Sequence, residues 1–183
     1  MKVICIVGMP GSGKNEVLSV FEKHGIPTFN MGDVITRLEP KARGITEINE
    51  YVESEIREDI RKRLGPAAVA IRTVEEVRKL GSDMVAIAGI HSFEELEYFR
   101  KELDQRFMLV AVKCDRDIRR IRLSVRADRA MSSDEFEHRE QKYSEIFDVA
   151  RLVEQAEFSL DNNGTKEELV AQTEKLISEI KKQ

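Results

Sequence analysis

Several features that would point to particular functions are scarce or missing in this sequence. It has two cysteines, Cys5 and Cys114, with no second pair and no nearby histidine, which disfavours a zinc site or a redox pair and leaves two buried strand thiols as the expectation. The 30 basic side chains are outnumbered by 34 acidic ones, and a net charge of -4 disfavours a general nucleic-acid binder. No apolar run is long enough for a signal core or a membrane span, so we expect a cytoplasmic protein with no membrane partner.

Short apolar runs alternate along the chain with longer amphipathic segments. Strands separated by helices require parallel crossovers, so this pattern predicts one α/β domain with a doubly wound sheet. A helix over 32–38 is expected to end before Pro40, and Ser92 with Glu95 is the predicted capping box of a helix over 92–103. The predicted strands are 3–7, 26–30, 84–88, 107–112 and 158–160, and the other predicted helices are 14–23, 45–64, 67–80, 115–123, 134–153 and 165–180.

The strongest motif lies between the first strand and the first helix. Gly8 to Lys14 matches the phosphate-loop pattern G-x-x-x-x-G-K. Glycines let successive backbone N–H groups face phosphate oxygens, the helix N-terminus adds positive potential, and Lys14 supplies a mobile charge for the outer phosphates. The alternative is a chance glycine turn with a surface lysine. The flanking strand and helix favour an ATP-binding loop.

With this loop in place, the chain resembles the P-loop nucleotide kinases of the adenylate kinase and dephospho-CoA kinase group, and most closely an archaeal family related to adenylate kinase. The resemblance covers nearly the whole chain. It implies a P-loop NTPase fold with a five-stranded parallel sheet in the order 2-3-1-4-5 and helices on both faces. It also implies a division of the chain into a core of residues 1–38, 81–123 and 134–183, a helical acceptor-binding insertion at 39–80, and an arginine-rich lid at 124–133.

Three further segments take their expected roles from this resemblance. The stretch 29–37 looks like the segment after the second strand of these kinases, which makes Arg37 the arginine that grips the acceptor phosphate. The stretch 161–165 resembles the loop that passes the adenine base, and it contains Asn163 and Gly164. Arginine forks suit the oxygens of a phosphoryl group in transfer, and the arginines after position 115 resemble the lid. For Arg116 and Arg120 a solvated helix face is favoured, and for Arg122, Arg126 and Arg129 both interpretations stay open.

Several departures from the kinase pattern bear on activity. Asn15 stands where a Ser or Thr hydroxyl normally binds Mg²⁺, and Ala88 stands where an acidic residue is usual. Asp33 is the surviving candidate for ordering the metal, with plain helix capping as its alternative. His91 could touch a phosphate or simply neighbour the start of a helix.

The sequence therefore leaves two functions open. One is transfer of the ATP γ-phosphate to a small phosphorylated or hydroxylated acceptor such as a nucleoside monophosphate, with Mg²⁺ weakly bound. The other is an ATP-binding switch or accessory protein with weak or lost kinase activity. The candidate catalytic residues are Lys14, Asp33, Arg126 and Arg129; nucleotide binding is expected at Gly8, Met9, Pro10, Gly11, Ser12, Gly13, Lys14, Asn15, Asn163 and Gly164, acceptor binding at Arg37, His91 and Arg122, and weak metal binding at Asn15 and Asp33.

Overall fold

The core of the protein is a parallel sheet of five strands in the order β2-β3-β1-β4-β5. A computed structural model describes residues 1–125, 130–146 and 149–182. The sheet order predicted from the resemblance is confirmed. The strands are β1 (Lys2–Val7), β2 (Thr28–Asn30), β3 (Met84–Ala88), β4 (Phe107–Lys113) and β5 (Phe158–Asp161).

Helices cover both faces of this sheet because its strands are apolar on both sides. Along β1, Val3, Cys5 and Val7 belong to one hydrophobic cluster, and Ile4 and Ile6 belong to another. This alternation follows from the two-residue period of a strand. The first cluster is completed by α4 (Ala68–Arg78), α5 (Phe93–Leu103) and α8 (Val149–Glu154), and the second by α1 (Lys14–Lys23) and α9 (Lys166–Ile180).

Two of the remaining helical segments add buried residues to the first cluster, Val34 and Ile35 from one and Ile56 and Ile60 from the other. In the described residues the remaining helical segments are a π-helical stretch Val34–Leu38, α2 (Glu39–Arg43), α3 (Glu50–Leu64), a 3-10 turn Asp104–Arg106, α6 (Arg116–Ser124), α7 (Ser133–Gln141) and a second π-helical stretch Lys142–Ile146. No helix in the described part of the chain is both long enough and apolar enough to cross a membrane.

The helix that follows β2 does not end before Pro40, contrary to the prediction. It continues through Pro40 as α2 and stops at Gly44, whose φ of 69° forms the left-handed cap. Proline is accommodated there because it follows a π-helical turn and lies in the first turn of α2. The preceding turn is π-helical, so Glu39 N–H donates five residues back to the Val34 carbonyl.

Three local predictions also need correction. Helix α3 begins after Asn49 rather than at Ile45, because the Asn49 side chain accepts a 3.0 Å hydrogen bond from Val52 N–H and caps the helix there. Cys114 is half-buried and lies beyond the end of β4 rather than buried in a strand. At α5 the Ser92 hydroxyl accepts from Glu95 N–H as predicted. The Glu95 carboxylate, however, accepts a 2.9 Å hydrogen bond from the N–H of His91, which lies one residue before the cap residue Ser92.

One buried carboxylate ties α2, α3 and α4 together. Glu39 is 6% exposed and accepts hydrogen bonds from Arg43 (2.9 Å), Arg63 (3.3 Å) and Arg72 (3.0 Å). Burial opposes its ionisation, but the hydrogen bonds from Arg43 and Arg72 outweigh burial and lower the pKa of Glu39. A charged group at this depth requires such compensation, so Glu39 fixes how the helical segment packs.

Candidate nucleotide-binding cleft

The loop between β1 and α1 has a backbone that only glycine can follow at two positions. Gly11 has a φ of 78° and Gly13 a φ of 102°, both in the left-handed region. A Cβ on Gly8 would lie 2.6 Å from the Val112 carbonyl oxygen, so this residue must also lack a side chain. Ser12 is buried, and its hydroxyl has no hydrogen-bond partner in the described residues. A loop held this open, at the start of a helix, fits a polyphosphate.

Lys14 folds back over this loop. Its ammonium donates to the carbonyls of Gly8 (2.7 Å) and Met9 (3.0 Å). Burial lowers the pKa of Lys14 to about 8, and the positive charges of Arg139 and Arg119 act in the same direction. The lysine is therefore charged at neutral pH in surroundings that disfavour its charge, so an anion placed beside it is favoured.

A cleft of about 670 Å³ opens beside the loop at the carboxyl edge of the sheet. Open parallel sheets bind ligands at this edge. Its walls include several residues that the sequence analysis predicted and others that it did not assign to a site. Lys14, Asn15, Asp33, His91 and Arg122 are the predicted site side chains that line it, with the backbone of Pro10, Gly11 and Gly13.

Four of the unassigned lining residues come from α3, α7 and the turn after α7: Glu53, Arg57, Arg139 and Tyr143. Glu53 and Arg57 lie one turn apart on α3. Arg139 is at the end of α7, and its guanidinium lies 5.7 Å from the centre of the Tyr143 ring. The only signal in the sequence was the i, i+4 spacing within each pair, which also describes an ordinary solvated helix face.

His91 sits in the centre of this group. Its ring meets the Tyr143 ring edge-on at 5.2 Å between centroids. The pKa of His91 is lowered to about 4, first by burial and then by the positive charges of Lys14, Arg57, Arg139 and Lys142. The imidazole is therefore neutral at physiological pH, and the charges that lower its pKa are all positive.

Asp33 and Arg37 form an ion pair with each other. Arg37 donates to the Asp33 carboxylate at 3.1 Å across one helical turn. Asp33 lines the main cleft, whereas Arg37 lines a smaller pocket of about 280 Å³ on the α1 side with Asn15 and Asn30. Arg37 is not one of the described residues that line the main cleft. The predicted acceptor arginine therefore lines the neighbouring pocket.

Arg122 and the loop after β5 interact with each other. The Arg122 guanidinium donates to the carbonyls of Asn162 (2.9 Å) and Gly164 (3.3 Å). In the same loop the Asn163 side chain accepts a 2.7 Å hydrogen bond from Asp115 N–H. Arg122 both lines the cleft and holds this loop. The two remaining catalytic candidates, Arg126 and Arg129, lie outside the described residues.

The metal-binding character of the cleft is limited. Ala88 is 2% exposed and lies opposite Asn30 in the β2–β3 register. A methyl group therefore occupies the position where the kinase pattern has an acidic side chain. In residues 1–125, 130–146 and 149–182, no three His, Cys, Asp or Glu side chains are grouped to hold a metal ion. The carboxylate of Glu16 is bound to Lys166 at 2.6 Å, and that of Asp33 to Arg37.

A glycine loop between a buried strand and a helix, a buried lysine over it, and a cationic cleft at the sheet edge define a P-loop nucleotide-binding protein with a kinase-like fold. The family model described as "AAA domain" matches residues 4–148. A UPF0200 protein of Thermococcus kodakarensis is 36% identical and covers 97% of both chains, and one of Methanosarcina barkeri is 34% identical over 91% of this chain and 89% of its own. The chain belongs to the UPF0200 family of P-loop proteins, as the expected archaeal resemblance indicated.

Solved structures agree with the fold. A Thermus thermophilus protein superposes with a TM-score of 0.67 at 18% identity and covers 97% of both chains. The shikimate kinase of Acinetobacter baumannii, solved with shikimate, superposes with a TM-score of 0.55 at 19% identity over 98% of this chain and 93% of its own. Identities this low establish the architecture alone.

Proposed function

We propose that this protein is an ATP-dependent phosphotransferase of the nucleotide-kinase type that acts on a small anionic acceptor, such as a nucleoside monophosphate. In this proposal residues 1–38, 81–123 and 134–183 form the core. Residues 39–80 form the acceptor-binding insertion, and residues 124–133 with Arg126 and Arg129 form the lid. The reaction class is transfer of the γ-phosphoryl group, which needs positioning and charge stabilisation more than covalent chemistry by the protein.

The observation that carries the proposal is the meeting of Lys14, Arg57 and Arg139 in one cleft around a neutral His91. These cations come from three separate elements, α1, α3 and α7. Like charges brought together repel unless an anion lies between them, and the Glu53 carboxylate of this cleft offsets at most one of the three. A cluster beside a phosphate loop therefore favours a second anionic ligand, and an arginine fork favours phosphate or carboxylate.

The chain offers more residues to bind the phosphates and base of ATP than to bind its metal ion. Gly8 to Lys14 offers a phosphate cradle, and Asn163 and Gly164 lie in the loop proposed to pass the base. Mg²⁺, when bound, would neutralise phosphate charge, and Asn15 and Asp33 are the side chains proposed to reach it. Because Asp33 is already paired with Arg37, most of the ligands would be phosphate oxygens and water.

The alternative function, an ATP-binding switch, is favoured by one specific observation. The cleft combines a methyl group at Ala88 with an Asp33 carboxylate that is already paired. A site that orders the metal weakly would bind nucleotide and transfer phosphate slowly. Asn15→Ser combined with Ala88→Asp restores two oxygen ligands. On the switch hypothesis this double variant gains magnesium-dependent turnover, and on the kinase hypothesis it turns over no faster than wild type.

The deciding experiment is a coupled assay over nucleoside monophosphates and dephospho-CoA with Mg²⁺ or Mn²⁺, together with calorimetry of ATP binding. Arg57→Met and Arg139→Met should each raise the acceptor KM by about tenfold or more while ATP affinity changes little, since a lost charged hydrogen bond costs roughly 1.5–3 kcal/mol. Arg116→Met is the matched control, because Arg116 is exposed and pairs with Glu137 away from the cleft. Unchanged acceptor KM in both cleft variants would refute the proposed acceptor site, and ATP binding that survives Lys14→Ala would refute the cradle.

A further inference from the structure

A buried asparagine from the far end of the chain contacts the phosphate loop. Asn162 follows β5, and its backbone N–H donates to the Lys113 carbonyl at 2.8 Å, which extends the β4–β5 ladder by one residue. The Asn162 side chain is directed at the loop after β1. Its amide nitrogen donates a 2.7 Å hydrogen bond to the Ser12 carbonyl, and the residue is 4% exposed. A buried side-chain donor aimed at a loop carbonyl holds that loop in one conformation.

The contacted carbonyl belongs to the same peptide group as the Gly13 N–H. In a trans peptide the C=O and N–H point in opposite directions. Anchoring the oxygen on Asn162 therefore sets the direction of the N–H, and a hydrogen bond to the carbonyl also polarises the peptide and strengthens the N–H as a donor. The fit is tight, since a Cβ on Gly13 would lie 2.1 Å from the Asn162 amide nitrogen. Gly13 thus has a packing reason to be glycine in addition to its φ of 102°.

The opposite side of Asn162 is held by a residue of the cleft. Arg122 donates to the Asn162 carbonyl at 2.9 Å and to the Gly164 carbonyl at 3.3 Å. Arg122, Asn162 and Ser12 therefore form one continuous hydrogen-bonded path from α6 through the β5–α9 loop to the phosphate loop. The Arg122–Asn162 and Asn162–Ser12 contacts of this path are short and at least partly buried, so each restricts the next.

We infer that Asn162 is a positioning residue for phosphate recognition, which orients the Ser12–Gly13 peptide and couples the β5–α9 loop to the phosphate cradle. This inference depends on the proposed nucleotide binding. It assigns Asn162 no contact with the nucleotide itself. Asn162 acts through the loop backbone. Its contribution to binding affinity should therefore grow with the number of phosphates on the ligand and be absent for a nucleoside.

The test uses the isosteric variant Asn162→Asp in the full chain. The new carboxylate places an acceptor where Ser12 needs a donor, so the variant should bind ADP and ATP about tenfold to a hundredfold more weakly, by calorimetry. Adenosine affinity should not change. Asn49→Asp is the matched control, because Asn49 uses its side chain as an acceptor from Val52 N–H and aspartate can do the same. The control should bind all three ligands as wild type does.

A pH series provides a readout that general damage to the fold would not produce. Protonation turns the new carboxyl into a donor, so the affinity of Asn162→Asp for ADP should recover relative to Asn162→Ala as the pH is lowered. If Asn162→Asp does not fold, the comparison of ADP with adenosine in Asn162→Ala carries the test. Equal affinity of wild type and both variants for ADP would overturn the inference and leave the nucleotide site standing. Equal losses for adenosine and ADP would overturn it too, and a wild-type protein that binds neither ADP nor ATP would overturn both proposals.

Discussion

The ion pair between Arg119 and Glu140 offers a sharp test of how this protein holds its phosphate loop. Arg119 is the buried arginine of α6, with a side chain that is 5% exposed, and it donates to Glu140 of α7 at 2.6 Å. The same guanidinium donates to the Pro10 carbonyl in the phosphate loop (3.3 Å) and to the Cys114 carbonyl (3.0 Å). One side chain thus joins α6, α7, the end of β4 and the loop.

Glu140→Gln keeps the shape of the side chain and removes its charge, which leaves the Arg119 charge buried and uncompensated. Removing one partner of a buried ion pair costs roughly 3–5 kcal/mol of unfolding free energy. Because Glu140 is 17% exposed, water reaches the pair, and we expect a loss near the lower end, about 3 kcal/mol. For a chain of this length, roughly 2–4 °C is lost per kcal/mol, so the Tm should fall by about 6–12 °C.

A matched control lies one helical turn away on the same two helices. Arg116 and Glu137 also pair across α6 and α7, but their side chains are 47% and 50% exposed. Glu137→Gln should therefore cost no more than about 1 kcal/mol. The double variant Arg119→Met with Glu140→Leu should be more stable than Glu140→Gln, because it leaves no charge unpaired. Urea denaturation with calorimetry measures all of these. If Glu140→Gln and Glu137→Gln lose equal stability, burial does not explain the contribution of the Arg119–Glu140 pair to stability.

Three further predictions concern titration and packing. Because the pKa of Lys14 is lowered to about 8, ADP affinity should fall as the pH rises through that value, and calorimetry in two buffers of different ionisation enthalpy should detect proton uptake on binding; binding without proton uptake above the pKa would contradict it. Burial raises the pKa of Glu95 from 4.5 to about 7, so its contribution to stability is lost as the pH rises from the lower value to the higher. The stability of Glu95→Gln relative to wild type should rise over that pH interval, by about 3 kcal/mol at most, and stay constant above it; a stability difference in denaturation that does not depend on pH would refute this. Glu39→Gln should lose about 1–3 kcal/mol and speed hydrogen exchange in α3 and α4, because three arginines lose their shared carboxylate; unchanged exchange there would show that the ion pairs do not hold the insertion.

Much of the fold could be read from local patterns. The phosphate loop was recognisable because its chemistry needs glycine and lysine at fixed spacing within seven residues, Gly8 to Lys14. Strands β1, β3 and β4 were recognisable from short β-branched runs, and α1 and α5 from helical periodicity. The sheet order came from the family resemblance and is confirmed, since alternation of strands and helices does not by itself select one order.

Errors arose where a local signal had a competing interaction. Pro40 predicts a helix end, yet a π-helical turn before it accommodates the proline and the helix continues as α2. Ile45 continues the apolar period of α3, yet the Asn49 side chain caps the helix four residues later. The acceptor role of Arg37 stays a prediction; in the structure Arg37 is paired with Asp33 and lines the smaller pocket beside the cleft.

By itself the sequence determined the loop that can hold phosphate, the apolar faces that force a two-sided sheet, and the absence of any overall positive charge. Only the tertiary structure brought Arg57, His91 and Arg139 together in one cleft and placed Asn162 against Ser12, 150 residues away along the chain. The physical reason is the range of each signal. Glycine spacing and helical period act within a few residues of backbone, whereas a cationic cleft or a buried amide on a distant carbonyl depends on how the strands pair and the helices pack.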